Sequence, residues 1–221
     1  MSTILLDPKN DFVFKKLFVD APDLLADLIN AVRSGEEPVE VIEIFNPHID
    51  LEDFAGESIA LDLLVRNVHG QVFNVEMRVY FQSYWTERNL YCLAPAYIGQ
   101  WVREDDHSAP TPVIAINLLD FDLFEDEQAH WCFQWQDRGQ FGVRLDTLQL
   151  HMLELRKLDR LRGAQPGPLA DWVAYFKHWS EEPVLREIRH SPVKKALERL
   201  KRLSEDGETR RRALAREGIA R

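Results

Sequence analysis

Cysteine is almost missing. Cys92 and Cys132 are the only two among 221 residues, and they form no C-x-x-C pair. That argues against a disulfide-stapled fold and a zinc ribbon, and both thiols are expected to be buried as small apolar side chains. No apolar run approaches the about 20 residues a membrane-spanning helix needs. The opening residues Leu5, Leu6, Asp7, Pro8 and Lys9 do not make a signal peptide's hydrophobic stretch either. These absences predict a soluble, cytoplasmic protein with no membrane partner. The seven histidines are scattered without an H-E-x-x-H pair, and the chain has no glycine-rich phosphate loop and no G-x-S-x-G elbow. Zinc proteolysis, P-loop nucleotide binding and serine hydrolysis therefore find no support.

A positive net charge is also lacking. The formal charge is −10, an awkward sign for contact with nucleic acid, but its distribution is uneven. Residues 192–221 carry ten Lys and Arg against five Asp and Glu, a net +5 that leaves −15 for the remainder. Taken alone, such a run reads as a solvated helix face. Trp101, Trp131, Trp135, Trp172 and Trp179 are spaced as core or helix-face residues rather than as a base-stacking platform.

What is present is an alternation of helical and strand-like periods. Asp7-Pro8 reads as a helix cap and first-turn proline, opening a helix through Phe18. A second helix is expected from Pro22 to Val32, stopped by Gly35, with a short strand over Val39–Phe45. Later come a helix over 83–103 kinked at Pro95, a buried strand from Pro112 to Leu119, and strands over His130–Gln136 and Thr147–Leu155. Helices over Pro168–Trp179 and onward from Ser191 complete the reading.

The most informative stretch is Glu57 to Val79, E-S-I-A-L-D-L-L-V-R-N-V-H-G-Q-V-F-N-V-E-M-R-V, two alternating runs about a turn. Ile59, Leu61, Leu63 and Val65 share one face of the first run, and Ala60, Asp62, Leu64 and Arg66 the other. A two-residue turn would put Asp62 and Glu76 on opposite faces. A three-residue loop, Val68-His69-Gly70, with Gly70 left-handed, pairs Asn67 with Gln71 and sets Asp62 across from Glu76. The second register gives both strands a coherent apolar face and is preferred.

Opposed carboxylates on a sheet repel unless neutralised. A hard divalent cation such as Mg²⁺ is one remedy, and would suit phosphodiester hydrolysis. An ion pair with Arg78 on the same face is the other, and the pattern alone does not separate them.

At these residues the chain resembles the PD-(D/E)XK nuclease superfamily, and within it the Rpn group of recombination-promoting nucleases and transposases. The likeness runs through D-F-V-F-K-K-L-F at Asp11–Phe18, L-D-L-L at Leu61–Leu64, N-V-E-M-R at Asn74–Arg78, and Arg88 and Tyr91. It continues through P-V-I-A-I-N-L-L-D-F from Pro112 and the basic stretch from Pro192 to Arg210. The resemblance implies an α/β fold: a restriction-endonuclease-like core over 1–160 with a central mixed β-sheet flanked by helices, then a helical C-terminal region, 161–221, with a basic tail.

It further implies a Mg²⁺-dependent DNA endonuclease, with Mn²⁺ as a substitute ion, acting in recombination or transposition. Asp62 and Glu76 would be metal ligands and Asp11 would reach the metal or its water shell, while Lys15 and Arg88 would meet phosphate. An ordinary helix-surface ion pair is the other reading of Asp11 and Lys15. Arg78 stands where the superfamily has Lys and this group commonly Gln. A guanidinium takes no proton as a base; it either stabilises phosphate charge or occupies the metal's place. Glu57 is a second departure, where the group often has a basic residue. The implied partners are DNA and a divalent metal, with a homo-oligomer open. The competing functions are a catalytically silent relative that binds DNA or a protein, and an oligomerisation or regulatory protein.

Overall fold

The computed structural model describes residues 4–45, 48–49, 59–60, 63–81, 84–100, 110–137 and 144–219. The first helix, α1 (Asp11–Val19), is capped by Asn10, whose side chain accepts from the Phe12 and Val13 amides. Asp7, expected to be the cap, instead accepts from the Lys9 amide at 2.9 Å and closes a turn, so the helix starts later than Pro8. An asparagine three residues on supplies the same capping acceptor, closer to the first buried turn. Next is α2 (Pro22–Val32), as expected, followed by Gly35 with φ +96°. Strands β1 (Val41–Phe45), β2 (His48–Ile49), β3 (Ile59–Ala60), β4 (Leu63–Asn67) and β5 (Val72–Arg78) lead to α3 (Trp85–Ile98), which carries Pro95 inside it. The chain continues through β6 (Val113–Leu119), β7 (His130–Gln136) and β8 (Arg144–Glu154). Five helices finish it: α4 (Leu155–Leu161), α5 (Pro168–Lys177), α6 (Glu182–Glu187), α7 (Ser191–Glu205) and α8 (Gly207–Ile219).

Six strands form one mixed sheet in the order β1-β4-β5-β6-β8-β7, with β5, β6 and β8 parallel and the outer pairs antiparallel. The central parallel strand β6 is buried throughout, and its sequence V-I-A-I-N-L-L reads as a nearly continuous apolar run. On one face Leu63, Val65, Phe73, Val75, Ile114 and Ile116 meet α1, α2, α5 and α7. The C-terminal helices share that core through Trp172, Tyr175, Phe176, Val193 and Leu200. On the other face Leu64, Val72, Val113, Ala115, Leu150 and Met152 meet Leu93 of α3. Part of the basic tail is used inside the molecule, since Arg199 donates to the Leu17 carbonyl at 2.8 Å and pairs with Asp20 at the end of α1.

Two expectations of burial fail at β7. Cys132 is exposed, and Trp135 is 57% exposed. Among the described residues β7 is an edge strand, with no strand beyond it to cover residues that would be buried in a central strand. Trp172 is fully buried, as expected, whereas Trp101 and the Cys92 side chain lie outside the described residues.

A cavity of about 550 Å³ opens on the first face between α2, α5 and the β7–β8 pair. His130 Nε2 and His151 Nδ1 meet there at 3.0 Å. Burial lowers the pKa of both rings, His151 to about 4 with help from His130 and Arg33. The unfolded chain therefore binds more protons than the folded one between 6.5 and about 4, and stability must fall as pH drops through that window. For His151 alone the loss is on the order of 3 kcal/mol. Urea unfolding from pH 7 to 4 is expected to show this loss in the parent and a flatter acid limb in His151→Gln. An identical limb in both would place the acid sensitivity elsewhere.

Candidate active site

Asn67 fixes the hairpin from which the site is built. Its amide donates to the Gln71 carbonyl at 3.1 Å, its carbonyl accepts from Gly70, and its side-chain oxygen accepts from the His69 and Gln71 amides. Gly70 has φ +78°, and an added Cβ would sit 3.3 Å from the Thr111 side chain, so the position admits only glycine without strain. Thr111 Oγ1 donates to the Gly70 carbonyl at 2.6 Å and ties the loop to the strand that follows α3. The loop is the three-residue one, and the register pairs Leu63 with Val75, Leu64 with Asn74 and Val65 with Phe73.

Within β5, the even-numbered residues Asn74, Glu76 and Arg78 share the face turned towards α3, and the parallel register sets Glu76 beside Asn117 of β6. Glu76 is 2% exposed, and both its carboxylate oxygens are engaged. Oε1 accepts from Asn74 Nδ2 at 3.0 Å, and Oε2 accepts from Arg78 Nε at 3.1 Å and Nη2 at 2.5 Å. The i, i+2 spacing on a strand brings the guanidinium onto the acid two residues earlier. Of the two remedies open in the sequence, the ion pair is the one observed among the described residues.

Asp62 and Glu57 lie outside the described residues. Asp11 and Lys15 stand on α1, whose buried residues pack against the opposite face of the sheet from Glu76, and Arg88 is exposed on α3. The segment leading into α1 nevertheless passes the carboxyl ends of β5 and β6. There the Asp120 amide donates to the Arg78 carbonyl at 2.8 Å, and the Asp120 carboxylate takes Lys177 at 2.5 Å and Lys9 at 3.6 Å. Crevices at the carboxyl ends of parallel strands are the usual place for ligands in open α/β sheets.

Sequence reasoning placed Asn74 on the face of Glu76 but missed this Lys9–Asp120–Lys177 cluster and Asn117 as a neighbour of Glu76. The cluster joins residues far apart in the chain. Asn117 carried a usable signal, as a polar residue at an inward position of an otherwise apolar strand. A further buried pair, Glu154 with Lys157 at 2.8 Å, was also missed. Its other bonds go to loop backbone at Leu123, Phe124 and Gln128 and to the Trp131 indole, whose Nε1 donates to Glu154, which makes it a structural tie.

The donor set around Glu76 suits a hard cation. The side-chain oxygens of Asn74 and Asn117 are buried and accept no hydrogen bond, and they lie on a carboxylate-bearing face of oxygen donors. Among the described residues no three His, Cys, Asp or Glu side chains cluster as metal ligands, so a cation at Glu76 needs a further ligand from beyond them. The family model for PD-(D/E)XK nuclease family transposases matches residues 8–220. The chain belongs to that family. No curated protein and no solved structure matches it. The six-stranded mixed sheet flanked by helices is the restriction-endonuclease-like α/β fold of such nucleases. Among the described residues no helix is long and apolar enough to cross a membrane.

Removing Arg78 would leave a buried carboxylate with one neutral donor. Breaking such a pair costs about 3–5 kcal/mol, and the partial exposure of Arg78 points to the lower end. In urea unfolding, Arg78→Ala is expected to lose about 3 kcal/mol, and Arg78→Ala combined with Glu76→Gln to recover most of it. An Arg78→Ala midpoint equal to the parent's would show that the pair does not stabilise the fold.

Proposed function

We propose that this chain is a divalent-metal-dependent DNA endonuclease that hydrolyses phosphodiester bonds in recombination or transposition, with Mg²⁺ or Mn²⁺ as its ion. The observation that carries this reading is the buried Glu76 carboxylate on β5, with the unsatisfied side-chain oxygens of Asn74 and Asn117 on the same face. Family membership supplies the reaction class. In this reading Asp62 and Glu76 hold the cation, and Asp11 reaches its water shell from the start of α1. A divalent cation held there would lower the pKa of a water and polarise the scissile phosphate.

The other roles belong to the chain's cations. Lys15 and Arg88 hold the flanking phosphates, and Arg78, always protonated, either moves onto the phosphate to meet developing charge or stays on Glu76. The acidic body makes local placement of these cations decisive, because the net field of the molecule opposes DNA.

A second reading has its own observation. With Arg78 on Glu76, the chain would be a catalytically silent relative that binds DNA or a protein partner. Nicking of supercoiled plasmid separates the two. The endonuclease reading expects nicking with Mg²⁺ or Mn²⁺ that EDTA stops, and that Asp62→Ala or Glu76→Ala abolishes while circular dichroism shows the fold intact. Nicking that survives in either variant would place the chemistry elsewhere. Binding of plasmid in Ca²⁺ with no nicking in Mg²⁺ or Mn²⁺ would favour the silent relative.

A further inference from the structure

The segment that leaves the candidate site presents flat aromatic rings to solvent. Tyr80, Phe81 and Tyr84 are 60%, 62% and 78% exposed, and the first is two residues beyond Arg78. Phe81 is not loose. Its ring stands edge-on to Phe121 at 5.9 Å, and Phe121 directly follows Asp120, whose amide is bonded to the Arg78 carbonyl. The exposed ring is thereby anchored to the carboxyl ends of β5 and β6.

Tyr84 is more unusual. Among the described residues it is the one non-glycine with positive φ, at +68°, and it precedes α3 without a side-chain cap. A bulky residue there costs backbone strain that Gly or Asn would avoid, and its ring gains no burial in return. Its carbonyl accepts from the Arg88 amide at 3.0 Å. Tyr84, Arg88 and Tyr91 follow at i, i+4 and i+7, so one helical face carries two exposed tyrosines with an arginine between them.

Exposed rings with an arginine one helical turn on, next in sequence to the proposed phosphodiester site, offer what an unstacked base requires: a π-face to lie on and a cation for its phosphate. We propose that Tyr80, Phe81 and Tyr84 form a stacking platform for an unpaired DNA base next to the scissile phosphate, so that the preferred substrate is locally unpaired DNA rather than intact duplex. This rests on the DNA reading above and names its substrate class. Bases already unpaired are favoured because no pairing or stacking has to be broken first.

The test uses the full chain in Ca²⁺, with two DNA hairpins that differ only in whether a 2-aminopurine is bulged out or paired. The parent is expected to bind the bulged hairpin about five- to a hundredfold more tightly and to quench its 2-aminopurine fluorescence. Tyr84→Leu, which keeps apolar bulk without a flat ring, should lose both the preference and the quench while holding the paired hairpin as well as the parent does. Tyr84→Trp should keep both. Equal affinity of the parent for the two hairpins, or an undiminished quench in Tyr84→Leu, overturns the platform and leaves the nuclease reading standing. A parent that binds neither hairpin overturns both. A dimer in sedimentation that Tyr84→Leu dissociates, with no quench in the parent, assigns the face to a second copy of the chain and overturns the platform.

Discussion

Burying a carboxylate costs free energy unless cations and hydrogen bonds offset it, and Glu76 is a carboxylate buried inside a sheet. The surroundings are arranged around that need. Asn74 donates to one oxygen and Arg78 to the other, both reaching it because alternate residues of a strand share a face. Asn117 stands beside it on the neighbouring parallel strand with an unsatisfied oxygen of its own. In the family's chemistry the cation is a divalent metal; in this chain a guanidinium is already in place.

The position of Glu76 depends in turn on a loop that allows no slip. Gly70 adopts the left-handed turn, Asn67 brackets it with backbone and side chain, and Thr111 fastens it to the segment before β6. A slip of one residue would turn Glu76 into the apolar face that α1, α2, α5 and α7 cover, so the register and the site are one constraint. At the other end of the same strands, Asp120 holds Lys9 and Lys177 against the carbonyl of Arg78. The charges at the carboxyl ends of β5 and β6 are balanced, with Lys9 and Lys177 set against Asp7 and Asp120 and Arg78 against Glu76.

Much of this was legible in the sequence because local chemistry dictated it. Gly70 and the paired apolar alternations gave the hairpin register, and the apolar run from Pro112 to Leu119 gave a buried strand. What escaped was set by tertiary context. Asn10 took the cap expected of Asp7, and Asp206 with Gly207 divides the long C-terminal helix, the Asp206 carboxylate capping Thr209. Trp135 and Cys132 read as core residues because an edge strand and a central strand share one alternation. Glu154–Lys157 and Lys9–Asp120–Lys177 depend on pairings no local pattern announces. The expected carboxylate partner, Asp62, lies outside the described residues.

If Glu76 takes a divalent metal, as we propose, Arg78 competes with that metal for the same carboxylate. Calorimetric titration of Mn²⁺ into the parent and into Arg78→Gln tests it most directly, because Gln keeps a hydrogen-bonding side chain while removing the competing charge. Weak binding by the parent and binding at least about tenfold tighter by Arg78→Gln, a gain of about 1.4 kcal/mol, are expected. Equal or weaker binding by Arg78→Gln would contradict that competition, and would make the guanidinium a partner of the site rather than its occupant.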